Sequence, residues 1–191
     1  MSIEALEKLG FNGAILIAKP NPASVYRWKK LALKWSPGKG SLKKEVRALK
    51  VAQGEGVVEF RGYKTTPAGD CLLTTYYPFG GRRWMPLFQN TTDEGMRRAL
   101  RVLKATIWRM WRAGVLHEDV MYKNIVFPTP EIREPRLIDF GRARRAHLPR
   151  PDLQARFLRG RAPRFAFPWG LLRGKDRFKF DIEGVIKEEW R

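Results

Sequence analysis

Short apolar stretches separated by turn residues dominate the first third of the chain. Residues 14–18 and 24–30 have the pattern of two strands, and residues 31–35 continue as strand. Residues 57–63 and 71–77 predict two more strands. Most connections between these stretches contain proline, glycine or asparagine, which favour turns.

A helix is predicted between the third and fourth apolar stretches. Ser41 has the short polar side chain of an N-cap, and Gly54 ends the pattern. Between them, Leu42, Val46 and Leu49 share one helical face. The first part of the chain is therefore predicted to be strand-rich with one helix.

The periodicity changes to that of a long amphipathic helix after residue 91. Thr91 and Glu94 have the spacing of a capping box, and Gly114 ends the helix. A stretch rich in proline and glycine, residues 78–86, precedes the helix and marks a boundary in the chain. Apolar residues recur at intervals of three and four at Met96, Leu100, Leu103, Ile107, Met110 and Trp111.

A strong positive charge changes the range of partners to expect. The 191 residues include 38 Lys and Arg but only 19 Asp and Glu, a formal net charge of +19, which favours nucleic acid, anionic membranes or acidic substrates. Residues 142–179 contain twelve Lys and Arg, two acids and interleaved aromatics. This basic segment suits RNA or an anionic membrane surface. The alternative is a solvated loop whose aromatic residues pack into the core.

Other features of the composition exclude several classes of protein. Cys71 is the only cysteine, which excludes an internal disulfide and a cysteine-rich metal site, and this fits a reducing compartment. No apolar run approaches the roughly 18 residues of a transmembrane helix, and residues 1–10 lack the apolar region of a signal peptide. We therefore expect a cytoplasmic protein, with peripheral binding at an anionic membrane surface as a further expectation.

Two segments after the long helix carry candidate chemistry. Residues 115–127 are VLHEDVMYKNIVF, and residues 137–144 are LIDFGRAR. They contain three motifs that resemble those of the protein-kinase-like superfamily in order and spacing: His117-Glu118-Asp119 for H-x-D, Asn124 five positions after Asp119, and Asp139-Phe140-Gly141 for D-F-G.

The resemblance implies a role for each of these residues. Asp119 would accept the proton of a substrate hydroxyl, and Lys123 would reach the transferring phosphate. Asn124 and Asp139 would supply oxygen ligands to Mg²⁺, while His117, Phe140 and Gly141 would be structural. The local alternatives are an Asx turn at Asp119 and Asn124, a strand-end turn at residues 139–141, and a surface lysine at position 123.

The first part of the chain offers further matches to the same family. Lys34 ends the stretch LALK, which resembles the V-A-I-K strand and implies contact with the ATP phosphates. Glu45 in the following helix is the candidate partner of Lys34, unless it lies on a solvated helix face. Thr75, Tyr76 and Tyr77 occupy the place of the segment that binds adenine through backbone groups.

The chain also departs from the family pattern. Residues 18–24 contain two prolines where a glycine-rich loop is expected, and proline removes amide donors. Glu118 stands where many kinases have arginine. Residues 161–164 resemble the A-P-E element without its glutamate. Asp181 is the candidate for the aspartate that braces the catalytic loop, in a helix that begins shortly before the chain ends.

These observations predict an α+β, two-lobed protein-kinase-like fold in a single domain, residues 1–191. Residues 1–80 would form a small β-rich N-lobe with one helix. Residues 81–191 would form a mainly helical C-lobe, truncated after the helix that contains Asp181. The nearest types are compact atypical kinases, either lipopolysaccharide-kinase-like or of the RIO and tRNA-modification-associated kind.

The expected function is an ATP- and Mg²⁺-dependent transfer of phosphate to a hydroxyl of a protein serine or threonine, or of an anionic glycolipid. Two alternatives remain open at this point. One is a pseudokinase or ATP-binding scaffold, which the prolines in place of the glycine loop favour. The other is a basic nucleic-acid-binding protein whose motifs are coincidental. The sequence leaves the oligomeric state open.

Overall fold

The structure, a computed structural model, describes residues 3–19, 23–81, 92–147 and 188. These residues have a mixed α+β fold built around a five-stranded sheet. The elements of the first part are α1 (Ile3–Glu7), β1 (Ile15–Ala18), β2 (Ser24–Trp28), β3 (Leu31–Pro37), α2 (Lys43–Ala52), β4 (Phe60–Thr66), β5 (Gly69–Thr75) and β6 (Phe79–Gly80).

The second part begins with a long helix and continues in short strands. Among the helices described, none is long and apolar enough to cross a membrane. The elements are α3 (Asp93–Arg112), β7 (Val115–Leu116), a 3₁₀ helix (Tyr122–Asn124), β8 (Ile125–Phe127), β9 (Arg136–Leu137), a second 3₁₀ helix (Phe140–Arg142) and β10 (Arg144–Arg145).

The five-stranded sheet has the order β1-β2-β3-β5-β4, and every neighbouring pair is antiparallel. In the central strand β3, Lys34 lies opposite Val25 of β2 and Leu72 of β5. Because side chains alternate along a strand, Leu33 and Lys34 point to opposite faces of the sheet. The sheet therefore places a lysine on the face opposite the core residue Leu33. Of two smaller sheets, β10-β7 lies in the second part, and in β6-β8-β9 the strand β6 of the first part pairs with β8 of the second.

Apolar residues form two separate cores. One core joins α1 and the residues after it to one face of the sheet, through Leu6, Phe11, Tyr26, Leu33 and Cys71. The larger core joins α2, α3 and the short strands of the second part. The six apolar positions that predicted the amphipathic helix α3 are all buried in it.

The structure corrects the predicted bounds of two strands and the predicted N-caps of two helices. The last two strands of the sheet are Phe60–Thr66 and Gly69–Thr75, so the first is displaced by three residues from the predicted one and the second by two. Ser41 is not the N-cap of α2, because the helix has Leu42 at that position. The N-cap of α3 is Thr92, whose hydroxyl accepts a hydrogen bond from the Gly95 N–H.

A carboxylate from the sheet caps the start of α2. Asp70 of β5 is fully buried, and its two oxygens accept hydrogen bonds from the backbone N–H groups of Gly40 and Leu42, both at 2.9 Å. The Tyr63 hydroxyl donates a third, at 2.7 Å. A helix N-terminus has unpaired N–H groups and a partial positive charge, so this remote carboxylate replaces the missing local cap.

A guanidinium from α3 caps the other end of α2. Arg109 donates to the carbonyl oxygens of Ala52, Gln53 and Glu55 at 3.0, 2.7 and 2.8 Å. A cation at the C-terminus of a helix complements its partial negative charge. Both ends of α2 are thus held by charged side chains from other elements, with the sign that each end favours.

Gly56 is expected to tolerate no side chain. Its φ is +77°, and a Cβ atom there would lie 1.7 Å from Thr106 Oγ1 on α3. We expect Gly56→Ala to lower the free energy of unfolding by about 3 kcal/mol, from left-handed strain and overpacking together. Urea denaturation followed by circular dichroism measures this change.

Gly13 provides the matched control for this substitution. Its φ is +73°, but a Cβ atom there would have no atom within 4 Å. Gly13→Ala therefore introduces the backbone strain without the clash, and we expect it to lower the free energy of unfolding by about 1 kcal/mol. Equal losses for the two variants would show that the contact with Thr106 is not what requires glycine at position 56.

Candidate active site

A cleft of about 350 Å³ lies between one face of the five-stranded sheet and the loops that follow α3. The sheet side is formed by β1, β2, β3 and β5, and the opposite side by residues 123–126 and 138–140. Most of the residues predicted from the sequence as site residues line it: Lys34, Glu45, Thr75, Tyr76, Tyr77, Lys123, Asn124, Asp139 and Phe140. Residues distant in sequence therefore meet in one concave site.

One lysine joins two carboxylates inside this cleft. Lys34 Nζ lies 2.8 Å from Glu45 Oε2 and 2.6 Å from Asp139 Oδ1. The three residues come from β3, from α2 and from the loop after β9. The Lys34–Glu45 ion pair expected from the sequence is present, and Glu45 is buried rather than on a solvated helix face. The contact with Asp139 was not predicted.

The two carboxylates that share the Lys34 ammonium have pKa values shifted in opposite directions. Burial alone lowers the pKa of Lys34, but the charges of Glu45 and Asp139 outweigh it, so the pKa lies above its ordinary value. Burial raises the pKa of Glu45, and Lys34 offsets this only in part. For Asp139, burial acts to raise the pKa, but Lys34 and the backbone N–H of Gly141 act against it, and the pKa is lowered. Lys34 stays cationic and Asp139 stays ionised at neutral pH.

Asp119 and Asn124 hold each other across a short loop. Asn124 Nδ2 donates to the backbone oxygen of Asp119 at 2.8 Å and to its Oδ2 at 2.9 Å. Lys123 Nζ lies 3.3 Å from the same Oδ2. Because the amide nitrogen of Asn124 is used in this way, its amide oxygen is the atom left for another ligand.

His117 fixes the backbone on both sides of the site. It is buried, and its Nε2 lies 2.9 Å from the carbonyl oxygen of Ile138. The Asp119 N–H donates to Nδ1 at 3.3 Å. A carbonyl only accepts, so Nε2 carries the proton and Nδ1 is the acceptor. Burial lowers the pKa of His117 and keeps this neutral form, which links the Asp119 loop to the residue before Asp139.

The backbone around Asp139 is unusual and tightly surrounded. Asp139 has a φ of +61°, in the left-handed region that aspartate tolerates better than most residues. Phe140 is buried, with its ring 4.7 Å from that of His117. A Cβ atom at Gly141 would lie 3.3 Å from Asp139 Oδ1 and 3.6 Å from Glu45 Oε2. Glycine thus leaves room for the two carboxylates.

The end of β5 and the residues that follow it line the cleft, but two backbone N–H groups of this segment already donate hydrogen bonds within the protein. The Thr75 N–H donates to the Glu59 carbonyl at 3.0 Å, and the Tyr76 N–H donates to the Lys30 carbonyl at 2.9 Å. These two N–H groups therefore stabilise the sheet. Tyr77 follows them at the edge of the cleft.

A metal ion would have two oxygen-bearing side chains here. Asn124 and Asp139 both line the cleft, and Asp139 has 43% of its side chain exposed. Mg²⁺ is commonly held by one or two protein oxygens together with substrate phosphates and water. Among the described residues, no group of three or more His, Cys, Asp or Glu forms a metal cluster of its own. The donor set fits Mg²⁺ bound together with a phosphate ligand.

Sequence reasoning missed several residues that shape the site. Asp70 and Arg109 fix the helix that carries Glu45, and only their tertiary positions reveal this. Glu118 forms an ion pair with Arg144, and Arg142 lies beside Asp119. The run of arginines after the D-F-G motif was a signal, but it was interpreted only as part of a basic segment.

Some predicted features lie outside the described residues. These are Asp181, the A-P-E-like residues 161–164, and most of the basic segment. Comparison of the chain with known proteins adds no relative to this picture: no protein-family model matches it, and no curated protein matches it. What the chain does must therefore be argued from the cleft.

Proposed function

We propose that the chain is an ATP- and Mg²⁺-dependent phosphotransferase with a compact, two-lobed protein-kinase-like fold. One observation carries the proposal. Lys34 Nζ is bound by Glu45 and by Asp139, which lie 11 and 105 residues away in sequence, in a cleft that also contains Asn124. A coincidental D-F-G triplet has no reason to meet a half-buried lysine and its paired glutamate.

The geometry supports a division of labour for phosphoryl transfer. Lys34, fixed by Glu45, would neutralise ATP phosphates, and Asn124 and Asp139 would hold Mg²⁺. When bound, Mg²⁺ would supply charge neutralisation at the phosphates. Asp119 would orient the acceptor hydroxyl and accept its proton as the acceptor oxygen bonds to the γ-phosphorus. The bond from that phosphorus to the bridging oxygen breaks, and ADP leaves.

The rest of the cleft suits a planar base. Val25, Ala32 and Leu72 line it from the sheet, and Val126 lines it from the opposite side. The amides of the two residues before Tyr77 are used inside the sheet, so adenine would bind to the Tyr77 backbone and to carbonyl oxygens of this segment. The sequence led us to expect backbone groups of Thr75, Tyr76 and Tyr77 at adenine, and this proposal leaves out the N–H groups of Thr75 and Tyr76.

The remaining expectations become parts of the same proposal. Residues 1–80 and 81–191 would be the two lobes of one domain, and the acceptor would be a protein hydroxyl or an anionic glycolipid. The basic segment, residues 142–179, would bind RNA or an anionic membrane surface. We propose a cytoplasmic location, in keeping with the single buried Cys71.

Magnesium-dependent turnover of labelled ATP tests the proposal without knowledge of the acceptor. We expect the wild-type protein to hydrolyse ATP or to label itself only with Mg²⁺ present. Asp139→Asn is expected to lower this rate by at least about 100-fold, because it removes the ionised ligand of the metal and a partner of Lys34. The measurement is the initial rate of labelled phosphate release or incorporation.

Glu94→Gln is the matched control, since it removes one carboxylate from the exposed surface of α3.

An ATP-binding scaffold is the second candidate function, which Pro20 and Pro22 favour by removing amide donors from the β1–β2 connection. It would show ATP-dependent thermal stabilisation, lost in Asp139→Asn, without turnover. A protein with neither turnover nor Mg²⁺-dependent ATP binding would refute both.

A further inference from the structure

The two carboxylate oxygens of Asp119 have different surroundings. Oδ2 accepts a hydrogen bond from Asn124 and lies near Lys123 Nζ. Oδ1 lies 3.9 Å from Arg142 Nη1, which is beyond hydrogen-bond distance. Within the described part of the chain, Oδ1 accepts no hydrogen bond. An acceptor hydroxyl would therefore meet Asp119 at Oδ1, on the side of Arg142.

Arg142 has a fixed backbone and an open side chain. It is the last residue of the 3₁₀ helix that begins with the buried Phe140, and the Ala143 N–H closes that turn on the Phe140 carbonyl at 3.0 Å. Its side chain is 74% exposed. A guanidinium in this position presents a planar fork that matches a carboxylate or a phosphate with two parallel hydrogen bonds.

Two further arginines follow Arg142 in the chain. Arg144 and Arg145 form β10, which pairs with β7 just before the loop that carries Asp119. Arg144 is paired with Glu118, and Arg145 is exposed. Because successive residues of a strand point to opposite faces, Arg145 points to the face of β10 opposite that of Arg144 and its partner Glu118. The Arg142 guanidinium is therefore the positive charge that an anion beside Oδ1 would meet.

We infer that the phosphate acceptor is itself an anion, a hydroxyl compound whose neighbouring phosphate or carboxylate group is bound by Arg142. The inference rests on the proposed phosphotransferase function and selects a substrate class for it. A neutral serine or threonine hydroxyl would use Oδ1 but would leave the guanidinium without a ligand. An acceptor that carries an anionic group beside its hydroxyl uses both.

The bond changes remain those of phosphoryl transfer from ATP. The acceptor oxygen bonds to the γ-phosphorus, the bond to the bridging oxygen breaks, and ADP leaves with that electron pair. The hydroxyl proton passes to Asp119 Oδ1. Arg142 takes no part in these changes, because it binds a group of the acceptor that does not react. It is therefore a specificity-determining residue.

Matched probes separate the charge of the acceptor from its hydroxyl groups. We would use myo-inositol, myo-inositol 1-phosphate, and phosphatidylcholine vesicles that contain phosphatidylinositol. A probe at the acceptor site either takes the labelled phosphate or competes with water, so each changes Mg²⁺-dependent ATP turnover. The half-effect concentration is the probe concentration that gives half of the maximal change in turnover. We expect it to be at least about tenfold lower for a phosphate-bearing probe than for myo-inositol, because a charge-assisted hydrogen bond stabilises the complex by that amount.

Variants at Arg142 assign this preference to one side chain. Arg142→Gln should reduce the preference for the phosphate-bearing probe to less than about threefold. Arg142→Lys keeps the charge but loses the planar guanidinium, so its preference should lie between those of Arg142→Gln and the wild type. Arg47→Gln removes an equivalent exposed cation from α2 and should keep the full preference. An effect of inositol 1-phosphate indicates a soluble acceptor, and an effect of the vesicles alone indicates a lipid headgroup.

Two results would overturn the inference. Equal half-effect concentrations for the neutral and phosphorylated probes in the wild type would show that charge is not recognised. An unchanged preference in Arg142→Gln would show that another group recognises it. In either case, persistent Mg²⁺-dependent ATP turnover would leave the proposed function standing. If the wild-type protein shows neither Mg²⁺-dependent ATP turnover nor ATP binding, the result counts against the proposed function itself.

Discussion

Asp119→Asn is expected to lower the rate of phosphoryl transfer by about 10²–10⁴-fold, the usual contribution of a general base. The asparagine side chain keeps an oxygen for the hydrogen bond from Asn124 but loses the negative charge that, in the proposed function, would accept the hydroxyl proton. Asp119 is only 8% exposed, so water is poorly placed to replace it. The measurement is the single-turnover rate of phosphate transfer from labelled ATP.

The same variant should still fold and bind ATP. Its thermal denaturation midpoint should stay close to that of the wild type, since the loop retains the contact with Asn124 and the His117 link. Glu134→Gln makes the same chemical change at a surface carboxylate that pairs with Arg136 at 3.1 Å, and it should leave the rate unaltered. A rate for Asp119→Asn within about threefold of the wild type would exclude Asp119 as the base.

Asp70→Ala is expected to lower the free energy of unfolding by about 3–5 kcal/mol. The substitution leaves the N–H groups of Gly40 and Leu42 and the Tyr63 hydroxyl without their acceptor in a buried site. Each unsatisfied group costs about 1–3 kcal/mol. Urea denaturation at neutral pH measures the loss. Tyr63→Phe, which removes one donor and keeps the carboxylate, should cost only about 1 kcal/mol.

The contribution of Asp70 should depend on pH in one direction. Burial alone would raise the pKa of Asp70, but the hydrogen bonds from Tyr63, Gly40 and Leu42 lower it below its ordinary value of 3.8. The unfolded state therefore binds the proton more readily, and the stability from Asp70 is complete above about pH 4. The stability difference between wild type and Asp70→Asn should shrink as the pH falls further. A constant difference down to acid pH would contradict this.

Local patterns predicted the parts of the molecule that depend on neighbours in sequence. The apolar period of α3 required only residues three and four apart, and all its predicted core positions are buried. The loop residues Asp119 and Asn124 were identified because their spacing matches a motif of the family, and they are in contact. Lys34 and Glu45 were paired by analogy with a family pattern, and they too are in contact.

Features that depend on distant parts of the chain were not predictable in this way. Ser41 has the short polar side chain preferred at an N-cap, but the carboxylate of Asp70, 28 residues beyond Leu42, accepts the hydrogen bond from the Leu42 N–H. Nothing in the sequence indicated which oxygen of Asp119 accepts the hydrogen bond from Asn124 and which one faces Arg142. The tertiary structure alone determines this.

The contacts of Asp70 and Arg109 with the two ends of α2 limit how the activity of the protein could be regulated. If α2 slid along its axis by one turn, about 5.4 Å, it would separate Asp70 from the backbone at its first end and Arg109 from the carbonyls at its second. Both groups are charged and would lose their partners at the same moment, so the intermediate positions are costly. Displacement of Glu45 from Lys34 by moving this helix is therefore an unfavourable means of control. Regulation is better suited to the open side of the cleft, where ATP and the acceptor of the proposed function would enter.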